Sequence, residues 1–189
     1  MRILLVDDDP ARRTLIETSL RELGHDIVGL LAGDADMAAA VKRHQPDVIL
    51  VDVEAPTRDT LESLGQVHRN QPRPIVLFAS SSDPATIQRA VRAGVTSYIV
   101  DGLEPTRLRP ILDVAIAHFQ ETQSLRRELE DARNKLADRR DVEKAKGILM
   151  KRRGLDEAAA YDMLRRMAMD RSLRIGEAAR ALLAAADLL

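Results

Sequence analysis

Residues 1–118 alternate between short apolar runs and amphipathic helical patterns. Each apolar run is nearly continuous, which is typical of strands that are buried on both faces of a parallel sheet. The runs cover residues 3–6, 27–31, 48–51, 75–78 and 97–100. The helical patterns cover residues 10–23, 34–44, 60–70, 83–93 and 104 onward. Five βα units of this kind predict an α/β domain in which helices cover both faces of a five-stranded parallel sheet.

Acidic residues follow two of the predicted strands. Asp7, Asp8 and Asp9 come directly after the first strand, and Asp52 ends the third. In a doubly wound sheet of order 2-1-3-4-5 these strands are neighbours, so their carboxylates converge at one edge. Carboxylate oxygens bind hard divalent cations such as Mg²⁺, and a bound cation relieves their mutual repulsion. We therefore predict a Mg²⁺ site formed by Asp7, Asp8 and Asp52. The alternative is a set of solvated loop acids.

This amino-terminal domain resembles the receiver domain of two-component response regulators, which has a flavodoxin-like fold. The resemblance implies that Asp7 and Asp8 are the metal-binding acid pair and that Asp52 is the phosphoacceptor. It also implies that Tyr98 is the aromatic residue whose rotamer follows activation.

Two positions depart from the receiver pattern. The switch threonine or serine at the end of the fourth strand is replaced by Ala79, with Ser80 one residue later as the candidate hydroxyl. The lysine that pairs with the phosphoryl group is replaced by Asp101. Because a fourth carboxylate in the acidic pocket would repel a phosphoryl group, we expect phosphorylation not to be the main switch. The alternative is that the loop of Asp101 turns away and Asp52 is still modified.

A long helical segment follows the receiver-like domain. Alternating steps of three and four residues link Ile111, Ala115, His118, Thr122, Leu125, Leu129, Ala132 and Leu136. A seam of this spacing is typical of a coiled coil. We predict a parallel homodimer through a coiled-coil linker helix at residues 119–138. The alternative is that the helix folds back on its own receiver domain.

Charge is distributed unevenly along the chain. Residues 139–189 hold 12 basic and 8 acidic residues, whereas residues 1–118 hold 13 and 17. Nine lysines and arginines lie between positions 142 and 174. Clustered basic residues favour a nucleic-acid surface, although charge runs often only keep a helix soluble.

The basic tail is predicted to be a small three-helix all-α domain at residues 139–189. Gly154 can end its first helix and Asp156 can cap its second. The apolar positions predicted to line one side of the second helix are Ala158, Tyr161, Leu164 and Ala168. The third helix, at residues 175–188, is rich in Ala and Leu and is predicted to pack.

This tail resembles the ANTAR domain, a three-helix RNA-binding module of bacterial antiterminators, through the strings AKGILM, GLDEAAAY and LRRMAMDRSLR. The resemblance implies binding to paired stem-loops in leader transcripts, which prevents a terminator hairpin from forming. Gly147 interrupts the first helix, and a close contact with the third helix or with RNA would explain it. The predicted RNA-binding residues are Lys144, Lys146, Lys151, Arg152, Arg153, Arg165, Arg166, Arg171 and Arg174.

The combination of both domains is similar to the NasT-type antiterminators of nitrate assimilation, because the receiver carries VDGL in place of the lysine motif. In that group a nitrate- or nitrite-sensing partner protein holds the regulator inactive until its ligand arrives. The resemblance therefore implies control by such a partner, and a histidine kinase is the other candidate.

Two other classes of protein remain open. A phosphorylation-controlled DNA-binding response regulator would need a recognition helix with polar residues near its start, which the Ala- and Leu-rich third helix lacks. An adaptor that only dimerises and docks proteins would use its basic residues as surface charge.

Several functions are not supported by the sequence. The chain has no Cys, which excludes disulfides and thiolate metal sites. Its start lacks a signal pattern, and no apolar run approaches the ~20 residues that span a bilayer, so we expect a cytoplasmic protein without membrane contact. We find neither a nucleophile–base pair nor a phosphate-binding glycine loop, and we expect neither enzymatic activity nor a small-molecule substrate.

Overall fold

The structure is a computed structural model that describes residues 1–33, 35–80, 83–100 and 105–186. The chain forms two compact units, Met1–Gln123 and Ser124–Leu189. The predicted domain boundaries after residues 118 and 138 stay a prediction. In the described part of the chain, no helix combines the length and apolar character that a membrane crossing needs.

The first unit contains a five-stranded parallel sheet of order β2-β1-β3-β4-β5, which confirms the predicted fold class. All four strand pairs are parallel, and each predicted apolar run lies within a strand. The strands are β1 (Arg2–Asp7), β2 (Asp26–Leu31), β3 (Val48–Val53), β4 (Ile75–Ala79) and β5 (Ser97–Val100).

Helices cover both faces of this sheet. The helices are α1 (Pro10–Glu22), α2 (Met37–His44), α3 (Arg58–Asn70), α4 (Pro84–Arg92) and α5 (Leu108–Arg153), the last preceded by a 3-10 turn at Pro105–Arg107. Side chains of α2, α3 and α4 form one hydrophobic cluster with the sheet. Those of α1 and the start of α5 form a second cluster on the other face. The central strands β1, β3 and β4 are thus buried on both sides, as their composition predicts, whereas the edge strands β2 and β5 are mostly partly buried.

Helix α2 begins later than the helical pattern suggests. The pattern starts at position 34, but α2 starts at Met37 because the Asp36 side chain accepts a hydrogen bond from the Ala39 amide at 2.9 Å. This bond caps the helix and satisfies an amide that has no partner within the first turn.

The second unit is a three-helix bundle of the last turns of α5 with α6 (Glu157–Asp170) and α7 (Ile175–Ala186). Gly154 ends α5 at φ +65°, and Asp156 caps α6 by accepting from the Ala159 amide at 2.7 Å. Both features confirm the predicted turn. The bundle core contains Val142, Ala145, Leu149, Ala160, Leu164, Ala168, Ala178 and Ala179.

The predicted core face of α6 is partly wrong. Leu164 and Ala168 are buried, but Ala158 and Tyr161 are exposed, and Ala160 is buried instead. Positions 160, 164 and 168 are four residues apart and share one face of a helix. Because two of them are alanines, that face allows close packing against neighbouring helices, whereas a tyrosine would hold them apart.

The predicted heptad seam divides into two parts. Ala115 is buried and Ile111 partly buried against the sheet, so the beginning of the seam packs on its own domain. Leu125, Leu129 and Leu136 are all exposed. The later part of the seam is therefore an apolar stripe that is exposed in the part of the chain that the structure describes.

Candidate functional site

Asp7 and Asp52 lie side by side at the carboxyl edge of the sheet. Asp7 ends β1 and pairs in register with Asp52 on β3. Their exposed fractions are 0% and 2%, so both carboxylates are buried. The sequence predicts that these two strands are neighbours. The register of the sheet then places the two acids opposite each other.

A guanidinium group lies against both carboxylates. From the first turn of α1, Arg12 donates its Nε and Nη2 to Asp7 Oδ2 and Oδ1 at 3.1 and 2.8 Å. The same Nε lies 3.1 Å from Asp52 Oδ2. Arg13 donates to the backbone oxygen of Asp7 at 2.6 Å. Arg12 is not among the site residues predicted from the sequence, although a basic residue in the first helical turn after an acidic loop is a signal that points to it.

The other two acids of the cluster point to different partners. Asp8 is exposed, and its Oδ1 accepts from the Gly33 amide at 2.6 Å. A Cβ at Gly33 would lie 2.8 Å from Asp8 Oδ2, so the approach depends on the absence of a side chain. Asp9 caps α1 by accepting from the Ala11 amide at 2.9 Å. The contacts that position these two carboxylates are thus backbone amides.

The predicted Mg²⁺ ligands Asp7, Asp8 and Asp52 therefore do not assemble a cation site. Within residues 1–33, 35–80, 83–100 and 105–186, no group of three or more His, Cys, Asp or Glu side chains is arranged to hold a metal ion. The physical reason is that Arg12 pairs with two of the carboxylates, while the third, Asp8, accepts a hydrogen bond from the Gly33 amide. A divalent cation does not fit these residues as they stand.

The environment of Asp52 favours its protonated form. Burial raises the pKa of Asp52 to about 6, and the nearby Arg12 guanidinium opposes the rise. Among the described residues, Asp52 Oδ2 accepts no hydrogen bond. The pKa of Arg12 is raised, chiefly by its hydrogen bond to Asp7. The pocket is thus a partly satisfied buried ion pair.

The predicted switch residues lie at the ends of neighbouring strands. Ser80 directly follows β4, is exposed, and donates its amide to the Glu54 oxygen at 3.0 Å. Tyr98 lies on β5 and packs partly buried against the cluster formed with α2, α3 and α4. Asp101, predicted to take the place of the receiver lysine, lies outside the described residues. The switch roles of Ser80 and Tyr98 stay a prediction.

Eight of the nine predicted RNA-binding side chains are exposed on the bundle. Four lie on α5, and four lie on α6 or in the turn after it. These eight residues, called the basic surface below, are Lys144, Lys151, Arg152, Arg153, Arg165, Arg166, Arg171 and Arg174. Arg152 also donates to the Ala186 oxygen at 3.3 Å, near the end of α7.

Lys146 differs from the other eight. It is only 7% exposed, and its Nζ donates to Glu157 at 2.7 Å and to Glu143 at 3.0 Å. The hydrogen bond to Glu157, followed by that to Glu143, raises the pKa of Lys146. The assignment of Lys146 to an RNA phosphate therefore needs correction, because its ammonium group holds α5 to α6.

Two further residues of the bundle were assigned differently from the sequence. Tyr161 is 44% exposed, although packing was favoured for it. Arg180, a charged residue in the Ala- and Leu-rich third helix, forms ion pairs with Asp138 and Asp141 of α5. A Cβ at Gly147 would meet nothing within 4 Å, so the third helix does not explain this glycine.

Comparisons with known proteins agree with the two-unit architecture. Residues 3–113 match the response regulator receiver domain, and residues 130–183 match the ANTAR domain. The transcriptional regulatory protein PdtaR of Mycobacterium tuberculosis is 30% identical over 170 residues, which cover 90% of this chain and 83% of that protein.

Solved structures resemble the first unit. The receiver domain of the response regulator NarL from Mycobacterium tuberculosis has a TM-score of 0.53 and 26% identity, covering 60% of this chain and 94% of that one. The receiver domain of a sensor histidine kinase from Pseudomonas aeruginosa has a TM-score of 0.52 and 25% identity, covering 61% and 97%. The latter structure has a magnesium ion coordinated in its active-site cleft. From its sequence matches and its fold, this chain belongs to the response regulators that join a receiver domain to an ANTAR domain.

Proposed function

We propose that the protein is an RNA-binding transcription antitermination regulator that binds paired stem-loops in leader transcripts. The observation that carries the proposal is the basic surface: eight exposed cationic side chains on one small bundle of a chain whose net charge is −1. Lysine and arginine that face solvent can neutralise phosphates and release counterions, which supplies most of the affinity of such proteins.

One residue of the basic surface, Arg165, belongs to a group of side chains suited to unpaired bases. Tyr161, Arg165 and Met169 are exposed and spaced four residues apart, so they share one side of α6. An exposed aromatic ring beside an arginine can stack on a base of a hairpin loop. We assign the loop of the stem-loop to this side of α6 and the paired stem to the phosphate contacts.

The third helix supports RNA over DNA. Arg180 on α7 is held by Asp138 and Asp141 of α5. The other exposed side chains of α7 are Glu177 and alanines. A helix that reads the DNA major groove presents polar side chains to base edges, and α7 lacks such a set.

We propose that the receiver domain governs RNA binding through a controlling partner protein. Asp101 in place of the lysine acts against a phosphoryl group as the main signal, because a carboxylate repels it. On the NasT-type resemblance, the partner senses nitrate or nitrite and sequesters the regulator; a histidine kinase is the alternative. The Mg²⁺ site at Asp7, Asp8 and Asp52 remains a prediction for a state in which Arg12 has moved.

We also propose that the active form is a parallel homodimer through α5. The exposed Leu125, Leu129 and Leu136 continue the heptad seam and have no partner within the described part of the chain. A second copy of α5 would bury this stripe. Two ANTAR domains in one dimer would engage two stem-loops and raise the apparent affinity through effective concentration.

A gel-shift titration with a paired stem-loop RNA tests the proposed function. Charge reversal at Arg165→Glu with Arg166→Glu is expected to abolish binding without unfolding the bundle, because both side chains are exposed. The matched control is Arg58→Glu with Arg92→Glu, two exposed arginines of the receiver unit, which should leave affinity unchanged. Equal loss of RNA affinity in both double variants would show that only the net charge of the chain matters.

Duplex DNA in the same titration separates the alternatives. The proposal predicts that the stem-loop competes far better than duplex DNA of equal length. Preference for duplex DNA would support the DNA-binding response regulator. Failure to retain any transcript in a pull-down would support the adaptor that only docks proteins.

A further inference from the structure

Arg12 lies where the acidic pocket has its highest density of negative charge. It contacts three carboxylate oxygens from two neighbouring strands at 2.8 to 3.1 Å. Its two donors meet Asp7 in a forked arrangement, which is the strong form of an arginine–carboxylate pair. The two acids are buried, and leaving either charge without a partner there would be costly.

The surrounding contacts hold this arrangement in place. Asp9 caps the first turn of α1, and Arg13 donates to the backbone oxygen of Asp7 at 2.6 Å. The Asp9 amide in turn donates to Asp7 Oδ1 at 2.8 Å. Each contact fixes the start of α1 relative to the end of β1, so Arg12 reaches the pocket from a short, well-anchored turn.

We propose that Arg12 is an internal counterion that takes the place of a divalent cation between Asp7 and Asp52. The guanidinium carries one positive charge in a pocket that holds two carboxylates, and it uses the same oxygens that a cation would need. Because Arg12 belongs to the chain, it is present at every protein concentration. The resting receiver therefore binds Mg²⁺ weakly, and its pocket is stable without a metal ion.

The position of Arg12 also affects Asp52, the predicted phosphoacceptor. Arg12 Nε lies 3.1 Å from Asp52 Oδ2, the buried oxygen that accepts no hydrogen bond among the described residues. A cation that binds this oxygen competes with the guanidinium for it. The role of Arg12 is independent of RNA binding. A negative result for Arg12 would therefore leave the proposed RNA-binding function unaffected, and a negative gel-shift result would leave the role of Arg12 unaffected.

Isothermal titration calorimetry of the full chain with Mg²⁺ tests the proposal. Arg12→Gln is expected to bind Mg²⁺ tighter than the wild type by about tenfold or more, the factor that matches one charged hydrogen bond. Arg21→Gln is the matched control, since Arg21 is also on α1 but is exposed and pairs with Glu17 instead of the pocket acids. It should bind Mg²⁺ as the wild type does.

Thermal unfolding provides a second readout. In EDTA, Arg12→Gln should have a lower Tm than the wild type, because two buried carboxylates then repel each other. Added Mg²⁺ should raise the Tm of Arg12→Gln and leave that of the wild type and Arg21→Gln nearly unchanged, since a ligand stabilises only the state it binds.

Two results would overturn the proposal. One is a wild type that binds Mg²⁺ as tightly as Arg12→Gln, and the other is a wild-type Tm that rises with Mg²⁺ as much as that of the variant. If Arg12→Gln does not fold in EDTA, Arg12→Lys keeps a cation without the planar fork. Its affinity for Mg²⁺ should exceed that of the wild type, and equal affinities would refute the competition.

Discussion

The ammonium group of Lys146 donates to the Glu157 carboxylate at 2.7 Å and joins the last turns of α5 to the first turn of α6. Glu143 accepts a second hydrogen bond from the same nitrogen at 3.0 Å. One lysine in a cationic stretch is therefore part of the framework that carries the basic surface. Substitution of Lys146 should therefore affect folding, whereas substitution of the exposed residues of the basic surface should affect RNA binding.

Replacing Lys146 should destabilise the bundle. Lys146→Met removes both ion pairs and leaves Glu143 and Glu157 without their shared cation, so we expect a lower Tm. Lys144→Met, two positions earlier and exposed, is the matched control and should unfold as the wild type does while binding RNA less tightly. Circular dichroism melts measure the first effect and gel shifts the second. Equal melting temperatures of Lys146→Met and Lys144→Met would contradict this role.

The basic surface predicts a specific salt dependence. Log affinity for the stem-loop should fall linearly with log salt concentration, by ~0.7–0.9 for each phosphate neutralised. Arg166→Gln should reduce that slope by about one phosphate contact. The control Arg58→Gln, on the receiver unit, should leave the slope unchanged. A slope that is the same in Arg166→Gln and the wild type would remove Arg166 from the interface.

Gly147 should matter for RNA rather than for folding. It is exposed on α5, three residues after Lys144 and four before Lys151, so the three positions share one side of the helix. Gly147→Ala should raise the free energy of unfolding by about 1 kcal/mol, since alanine is the better helix former. We expect the added methyl group to weaken RNA binding in gel shifts. Unchanged or tighter binding would show that RNA does not approach this position.

A second glycine gives the contrast. Gly154 ends α5 at φ +65°, where a side chain is strained. Gly154→Ala should therefore lower the Tm, in the opposite direction to Gly147→Ala.

Stability should depend on pH through Asp52. Its folded-state pKa is raised to about 6 by burial, so the folded protein holds this proton more tightly than the unfolded chain. The contribution to stability is complete below the ordinary pKa of aspartate and is lost as the pH rises through about 6. The loss between pH 4 and 7.5 is on the order of 3 kcal/mol.

Comparison with Asp52→Asn isolates this effect. Chemical denaturation in EDTA at several pH values should show the wild type losing stability relative to Asp52→Asn between about pH 4 and 6, the interval between the ordinary and the folded-state pKa of Asp52. A stability difference between the two proteins that is constant with pH would mean that folding does not shift the pKa of Asp52.

The exposed seam predicts the oligomeric state. Leu129→Asp places a charge in the centre of the apolar stripe and should convert a dimer to a monomer in analytical ultracentrifugation. Asn134→Asp adds the same charge at an exposed position outside the seam and should leave the dimer intact. A wild type that is monomeric at all concentrations would exclude the α5 dimer.

Local patterns in the chain predict most of the fold. Continuous apolar runs identify all five strands, and the predicted order of the sheet is confirmed. Asp156 and Gly154 mark the turn between α5 and α6 because capping and left-handed turns depend on neighbouring residues alone. Helix α2 starts three residues later than predicted. The sequence does not tell which polar residue caps the helix, and in the structure the cap is Asp36.

The sequence by itself determined the alternation of elements, the two acids at the sheet edge and the charge of the tail, because these follow from the order of residue types along the chain. Only the tertiary structure decided how charges pair. Arg12 meets Asp52 across 40 positions of chain, and Lys146 meets Glu157 across a turn. Pairing of this kind depends on which side chains packing brings within a few ångströms, and no local pattern specifies that distance.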